Sequence, residues 1–435
     1  MSNEVGPISE APPIEGTPSV GSGGKSHGRA AFAFIFITVA LDMVALGIII
    51  PVLPRLIVSF ENGDMAKAAT QTGVFAFVWA AMQFVFAPVM GALSDRFGRR
   101  PVILLSNFGL GLDYVLMALA PTLSWLFVGR VISGITAASI PTANAYIADV
   151  TPEEKRAAKF GMLGAAFGLG FIIGPAVGGF LGGYGLRYPF WASAILSLAN
   201  ALYGLFVLPE SLPKERRSPF SVKRANPLGA LKLLRSHPEL SALAVAMFFN
   251  YNAHESLPSM YVLYTDYRYH FSPQLTGYAF AGVGIGSTIV SAFLISLAIK
   301  KLGEVRTLYL GWICGLAGFA TLALAPTTAI SLISIPLLSL WGLGSPAMNS
   351  LMTRRVDKSA QGQLQGALMS MFGVAGMIAP LVFTQVFSIA ISPKWGFHLP
   401  GAPYYLAAAL MVGSLATIAV AMRRTAVAVA APQTD

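Results

Sequence analysis

The sequence predicts an all-α membrane protein of twelve transmembrane helices in two pseudo-symmetric six-helix bundles, and three observations predict it. Of 435 residues, 55% are hydrophobic and 11% are charged, against roughly 25% charged in soluble proteins. The charges leave long uncharged intervals at 68–94, 160–186, 188–209, 269–299, 307–353, 359–393 and 395–422. Each can hold one or two spans of about 20 apolar residues. The third observation is an internal repeat at a constant offset of 205 positions.

Taken in order, residues 1–29 are rich in Gly, Pro and Ser and hold no apolar run before Lys25 and Arg29. This predicts a disordered cytoplasmic tail rather than a signal peptide or a span. Apolar runs bounded by charges and Gly/Pro clusters then predict helices at 30–58, 70–93, 101–120, 124–148, 160–183 and 188–208, an N-terminal bundle over 30–208. Segment 209–239 holds five prolines and seven basic residues. It predicts a cytoplasmic linker with a short amphipathic helix at 227–236 on anionic headgroups. A second set at 240–264, 274–299, 305–325, 329–352, 363–391 and 402–422 makes a C-terminal bundle over 240–422, and 423–435 reads as another cytoplasmic tail.

The repeat relates the bundles. Ala118-Leu-Ala-Pro-Thr122 meets Ala323-Leu-Ala-Pro-Thr327, and at the same offset Gly98 meets Gly303, Pro141 meets Pro346, Asn144 meets Asn349, Gly161 meets Gly366 and Pro175 meets Pro380. Convergent small-residue composition would not hold one register, so the halves read as duplicates. With the N-terminus placed in the cytoplasm, 23 of the 29 Lys and Arg residues fall on that side, which puts both termini inside.

A formal charge of +10 raises nucleic-acid binding as a function class. The basic residues sit in short loops between apolar spans, where they orient a membrane protein instead. Cys314 is the sole cysteine, which excludes an internal disulfide and a cysteine metal cluster. The sequence shows no phosphate-cradling Walker loop, no metal-ligand spacing and no nucleophile motif. It therefore predicts no enzyme, no metal and no cofactor.

The loop after the second span reads Gly91-Ala-Leu-Ser-Asp-Arg-Phe-Gly-Arg-Arg-Pro101. Two glycines allow a tight turn, Asp95 can cap a helix or pair with a guanidinium, and Arg96, Arg99 and Arg100 hold the loop in the cytosol. This string resembles the signature loop of the major facilitator superfamily. The resemblance implies a latch between the two halves, formed by Gly91, Asp95, Arg96, Gly98, Arg99, Arg100 and Asp149. A degenerate copy, Lys300-Lys-Leu-Gly-Glu-Val-Arg306, stands where the offset requires.

Leu41-Asp-Met-Val-Ala-Leu-Gly-Ile-Ile-Ile-Pro-Val-Leu-Pro54, Gly111-Leu-Asp-Tyr114, Gly129-Arg-Val-Ile-Ser-Gly-Ile-Thr136, Tyr146-Ile-Ala-Asp149, Phe167-Gly-Leu-Gly-Phe-Ile-Ile-Gly-Pro-Ala-Val-Gly-Gly179 and Gln361-Gly-Gln-Leu-Gln-Gly366 extend the resemblance. Over about 30–425 the chain is similar to the drug:proton antiporter branch of that superfamily, in particular the tetracycline efflux pumps. Gly170, Gly174 and Gly178 recur every four residues, so one face of the fifth helix admits another backbone. Pro175 removes a donor and can kink that helix. The resemblance makes this pattern an antiporter motif, while tight packing alone explains the same residues.

Only Asp42, Asp113, Arg130 and Glu255 lie well inside predicted spans, where a charge costs at least about 2.5–3.5 kcal/mol. Such groups face a cavity or a partner. Asp42, flanked by Leu41, Met43, Val44 and Leu46, matches the first-helix acid of the pumps, and Asp113 the third-helix acid. Arg130, linked in the family to proton movement, has Asp42 as a candidate partner. His254 and Glu255 belong to an unusual polar cluster, Asn250-Tyr-Asn-Ala-His-Glu-Ser-Leu-Pro258. Adjacent on a helix, they point about 100° apart and do not simply share a face.

The chain departs from the pumps at Ser287 and Gly315, which stand where they carry a histidine and an aspartate; His254 and Glu255 are candidates to replace these. Phe75, Trp79, Phe248, Asn250, Tyr251, Tyr261, Phe280, Ser287 and Trp341 are candidate cavity residues. The expected function is proton-coupled export of a small amphiphilic compound, a tetracycline-like drug or other antibiotic, by alternating access, through a monomer in the bacterial inner membrane. A metabolite transporter working by proton symport or uniport is the alternative.

Overall fold

The computed structural model describes residues 23–137, 140–219, 238–357, 360–396 and 398–430, and among these every regular element is helical. The first span is α1 (Gly23–Ile49) and α2 (Leu53–Phe60), divided at Pro51, whose ring nitrogen has no proton to give. It is followed by α3 (Met65–Phe97), α4 (Arg99–Leu119), the pair α5 (Leu123–Thr136) and α6 (Ile140–Val150), α7 (Glu153–Gly182) and α8 (Tyr188–Val207). The second half comprises α9 (Pro238–Tyr269), α10 (Pro273–Ile289), a π-helical turn at Val290–Leu294, and α11 (Ile295–Leu324). A tenth span broken into α12 (Thr328–Leu332), α13 (Ser334–Trp341) and α14 (Gly344–Thr353) precedes α15 (Gln361–Ile391) and α16 (Ala402–Ala430).

Among the described residues, ten stretches are long and apolar enough to cross a membrane. One of them, Pro273–Leu324, has 52 residues, about 78 Å at 1.5 Å per residue, more than twice a hydrocarbon core of about 30 Å. It breaks at Gly303, where φ is 78° and ψ 168°, and so makes two crossings. The 32-residue α9 is absent from the ten because its central Asn, His and Glu residues dilute its hydropathy. With it the spans number twelve, six on each side of the linker.

The 205-residue repeat is a repeat of geometry. Gly98 has φ 106° and ψ 158°, in the same left-handed region as Gly303, and both stand where a helix ends in one span and restarts in the next. A side chain is strained there, which accounts for glycine at both positions. Ala120 and Ala325 end their helices at φ −50° and −54°. Arg187 donates to the carbonyls of Ala118 and Ala120 at 2.6 and 2.8 Å. In the matching turn Arg268 donates to Ala323 O, and the Tyr269 hydroxyl to Ala325 O, both at 2.8 Å. Cations and hydroxyls thus take up orphan helix-end carbonyls in each half.

The interior of the second bundle is one apolar cluster that includes Tyr264, Trp312, Phe319, Phe383, Phe387 and Tyr404. The first bundle holds two main clusters, around Phe32, Ile35 and Leu163 at one end and around Tyr114, Met117 and Phe190 at the other. The halves meet through α3 against α15 and α7 against α10. These contacts gather at the end away from the Gly91–Pro101 loop, which is termed the basic end. Arg55 donates to Phe271 O at 2.5 Å and to Thr276 Oγ1 at 3.1 Å, and lies 3.6 Å from Asp266. Thr70 donates to Ser388 at 3.2 Å. At the basic end, a side chain added at Gly91, Gly161, Gly164 or Gly362 would meet no neighbouring element within 4 Å. The two bundles therefore splay apart toward the basic end.

Three expected boundaries shift. Residues 23–29 of the expected tail are helical, and 1–22 lie outside the described residues. The last helix runs on to Ala430 instead of stopping at 422, because helical hydrogen bonding continues past the apolar stretch that marked its end. Residues 209–219 fold back on the Gly91–Pro101 loop, and the expected helix at 227–236 lies outside the described residues.

Candidate functional site

At the basic end, Arg99 organises the loop. Its guanidinium contacts Asp95 Oδ1 at 2.5 Å, Ser94 Oγ at 2.7 Å and Asp149 Oδ2 at 3.2 Å. Glu210 Oε1 accepts from the backbone amides of Arg99, Ser211 and Leu212 at 2.9–3.0 Å, placing a carboxylate at the exposed amino end of α4. The capping role open to Asp95 therefore falls to Glu210, 111 residues from Arg99 in sequence, while Asp95 pairs with the Arg99 guanidinium. Arg100 donates to Leu205 O at 2.5 Å, and Arg96 lies over the Phe97 ring. These partners lie in the first bundle and the start of the linker, so among the described residues these contacts tie the loop to its own bundle and to the linker.

The offset carries Arg99 onto Glu304 and Asp149 onto Arg354. Those two form an ion pair at 2.7 Å, with Ser350 donating to Glu304 at 2.8 Å. The second half thus repeats the tie with its charges exchanged. Glu304 lies in the degenerate loop copy Lys300–Arg306, but its pairing with Arg354 was not foreseen; adding 205 to the two members of the first pair is the signal that finds it.

Among the four embedded charges, Asp42 is half-buried on α1, and its Oδ1 accepts from Asn200 Nδ2 of α8 at 2.8 Å. Arg130 was the expected partner; instead the Arg130 guanidinium sits over the Trp79 ring at 5.2 Å, within cation–π range. Asp113 and Arg130 are 1% and 6% exposed. Both Asp113 oxygens and two Arg130 nitrogens lack a hydrogen-bond partner. Asp113 Oδ1 points at Gly129, where an added Cβ would come within 2.8 Å.

In the second half, Tyr251, His254, Glu255 and Pro258 occupy one open face of α9, at helical spacing, while Asn250, Ala253 and Met260 are buried. His254 Nδ1 lies 3.6 Å from Glu255 Oε1, with 51% and 14% of the side chains exposed. The two thus share a face after all, because flexible side chains close the angle between their Cβ vectors. Tyr251 meets Phe372 of α15 edge-on, Tyr261 meets Phe280 of α10, and the His254 ring leans on Trp341 of α13.

Three candidate cavity residues are buried in this structure. Phe75 is 2% exposed and packs on Phe127 in the first core. Buried Asn250 accepts the Trp341 indole N–H at 2.9 Å, and Trp341 itself is buried. Phe248 packs against the second core, whereas Trp79 and Ser287 remain half-buried.

Gly315 is occupied through space by that indole. A Cβ there would come 2.6 Å from Trp341 Cδ1. Gly315→Asp is expected to displace Trp341, break its bond to Asn250 and destabilise the second bundle by roughly 1–3 kcal/mol. Thermal denaturation of the purified variant measures this, and an unchanged midpoint would refute the steric reading.

The antiporter-motif glycines pack as their spacing predicts. Gly170, Gly174 and Gly178 lie against Met43, Gly47 and Ile48 of α1. Within the same helix Gly179 and the Pro175 carbonyl lie against Gly277 of α10, so α7 is in backbone contact with one helix of each half.

Twelve crossings in two related bundles, splayed around embedded charges, define a membrane transporter of small molecules rather than an enzyme. The family model of the Major Facilitator Superfamily matches residues 35–382, and the chain belongs to that family. It is 37% identical to the tetracycline resistance protein, class C, of Escherichia coli over 86% of this chain and 94% of that one. It is 28% identical to multidrug resistance protein 2 of Bacillus subtilis over 83% and 90%. The crystal structure of the nucleoside transporter NupG (D323A mutant) aligns with a TM-score of 0.72 over 89% of this chain and 99% of that chain, at 16% identity, a likeness of fold.

Proposed function

We propose that the protein is a proton-coupled exporter of a small amphiphilic compound, working by alternating access in the bacterial inner membrane. The observation that carries this reading is Asp42, a carboxyl in the middle of the first span, half open on one side and hydrogen-bonded on the other. The names of the resistance-protein relatives support a drug as substrate. The excess of Lys and Arg supports a cytoplasmic basic end with both termini inside. On that orientation the splayed bundles open inward. One chain carries both halves of the repeat, so a monomer suffices. Protonation of Asp42, and of Asp113 or Glu255 with it, favours one orientation; drug binding and proton release favour the other. A proton biases the switch only by binding the two states unequally.

The open face of α9 supplies the second half's contribution, with Glu255, His254 and Tyr251 presented together. Ser287 and Trp341-covered Gly315 separate this chain from the tetracycline pumps it resembles and favour a second reading, transport of a metabolite by proton symport or uniport. Everted vesicles acidified inside decide between them. Addition of amphiphilic drugs from a panel is expected to release lumenal protons as drug enters. No response to any drug, together with nutrient uptake by intact cells, would select the metabolite reading.

A further inference from the structure

The two bundles solve one packing problem differently. In the first, Asp42, Asn107, Ser197 and Asn200 lie in sequence between the residues of the two main apolar clusters: Asp42 falls between Val39 and Ala45, Asn107 between Ile103 and Leu110, and Ser197 and Asn200 between Ala194 and Leu208. The second bundle also buries polar side chains, Asn250, Asn252, Ser256 and Ser414 among them. Polar groups away from water cost stability unless they are hydrogen-bonded, so the carboxyl–amide contact between α1 and α8 needs a reason.

Ser193, Ser197 and Asn200 share a face of α8 and are 1% exposed or less. Ser193 donates to Ala45 O of α1 at 2.8 Å. Asn200 spends both protons of its amide on the same helix, one on Thr38 O and one on Asp42 Oδ1, each at 2.8 Å. The second half keeps the serine rung, Ser414 donating to Ala246 O at 2.6 Å. With Ser193 placed on Ser414 and Ala45 on Ala246, the counterparts of Asn200 and Asp42 are Ala421 and Leu243. Leucine and alanine side chains offer no hydrogen bond of their own, so the carboxyl–amide pair of the first half has no side-chain equivalent at these two positions.

We propose that Asn200 is the positioning residue of the proton site, holding Asp42 Oδ1 as an acceptor so that Oδ2 is left to take the proton from the cavity. This rests on the reading of Asp42 as the proton-carrying group. Asn200 Oδ1 is buried and lacks a hydrogen-bond partner.

The other ionisable groups near α1 are few. Tyr114 of α4 lies within the field of Asp42, Asp113 and Arg130. Tyr203 of α8 stacks edge-on with Phe34, and Lys159 of α7 covers Phe32 at 3.7 Å. Tyr146 of α6 donates to Pro209 O, and Asp149 of α6 is engaged by Arg99. Among these hydrogen bonds, only that from Asn200 reaches the Asp42 carboxyl.

The test is an infrared titration of the purified full-length protein, following the C=O stretch of protonated carboxyl groups in H2O and D2O. The Asp42 band is the one missing from Asp42→Asn. In Asn200→Leu, loss of the donor to the ionised form is expected to make Asp42 hold its proton about tenfold more tightly, a midpoint displaced by about one pH unit to the alkaline side. The band should also rise in frequency as its hydrogen bond is lost. Should Asn200→Leu fail to fold, Asn200→Ser removes the amide within a stripe that already tolerates serine, and the same displacement is expected. An Asp42 band that titrates unmoved in the folded variant overturns the proposal. Absence of any Asp42-dependent band would instead refute the proton-site reading beneath it.

Discussion

Asp42→Asn is expected to collapse proton-driven accumulation while leaving the protein folded. Asparagine has nearly the size of aspartate and still offers Asn200 an oxygen to bond, so the contact between α1 and α8 survives. What disappears is the exchangeable proton. For one proton per substrate, each pH unit of gradient supports about a tenfold accumulation; in the variant the ratio should fall to unity. Everted vesicles with an imposed pH gradient measure the ratio, and accumulation at the wild-type level would remove Asp42 from the coupling mechanism.

The second large effect concerns Gly178. A methyl group there would sit 1.9 Å from Ile48 O and 2.7 Å from its carbonyl carbon. Both are backbone atoms, which cannot swing aside as a side chain can. Gly178→Ala must therefore push α1 and α7 apart along a crossing also closed at Gly174 and Gly170. A cost at or above the top of roughly 1–3 kcal/mol is expected. Membrane-inserted yield and thermal denaturation in detergent report it. A variant with wild-type yield and midpoint would show that the two helices are less closely apposed than described.

Much of this fold was legible because the bilayer simplifies the code. Uncharged intervals mark spans, and one offset joins the halves down to the backbone angles of Gly98 and Gly303. The glycines of the fifth span and the exposure of Asp42 to one side followed from spacing and from the cost of a buried charge. Partners were harder to read. Asn200 lies 158 residues from Asp42, and nothing local singles out one amide among the polar residues of an apolar helix. Residue type misled for Phe75, because aromatic residues suit a core and a cavity wall alike. For His254 and Glu255 the Cβ directions were right, and side-chain reach overrode them.

Helix α7 touches α1 through Gly170, Gly174 and Gly178, and α10 through Pro175 and Gly179. The first seam lies inside one bundle and the second joins the two; on the proposed alternating-access cycle the first would persist, whereas the second would slide or part each time the access route reverses. Neighbouring residues 178 and 179 thus serve as weld and bearing. Enlarging the first should lower stability, whereas enlarging the second should yield a folded protein biased in which way it opens.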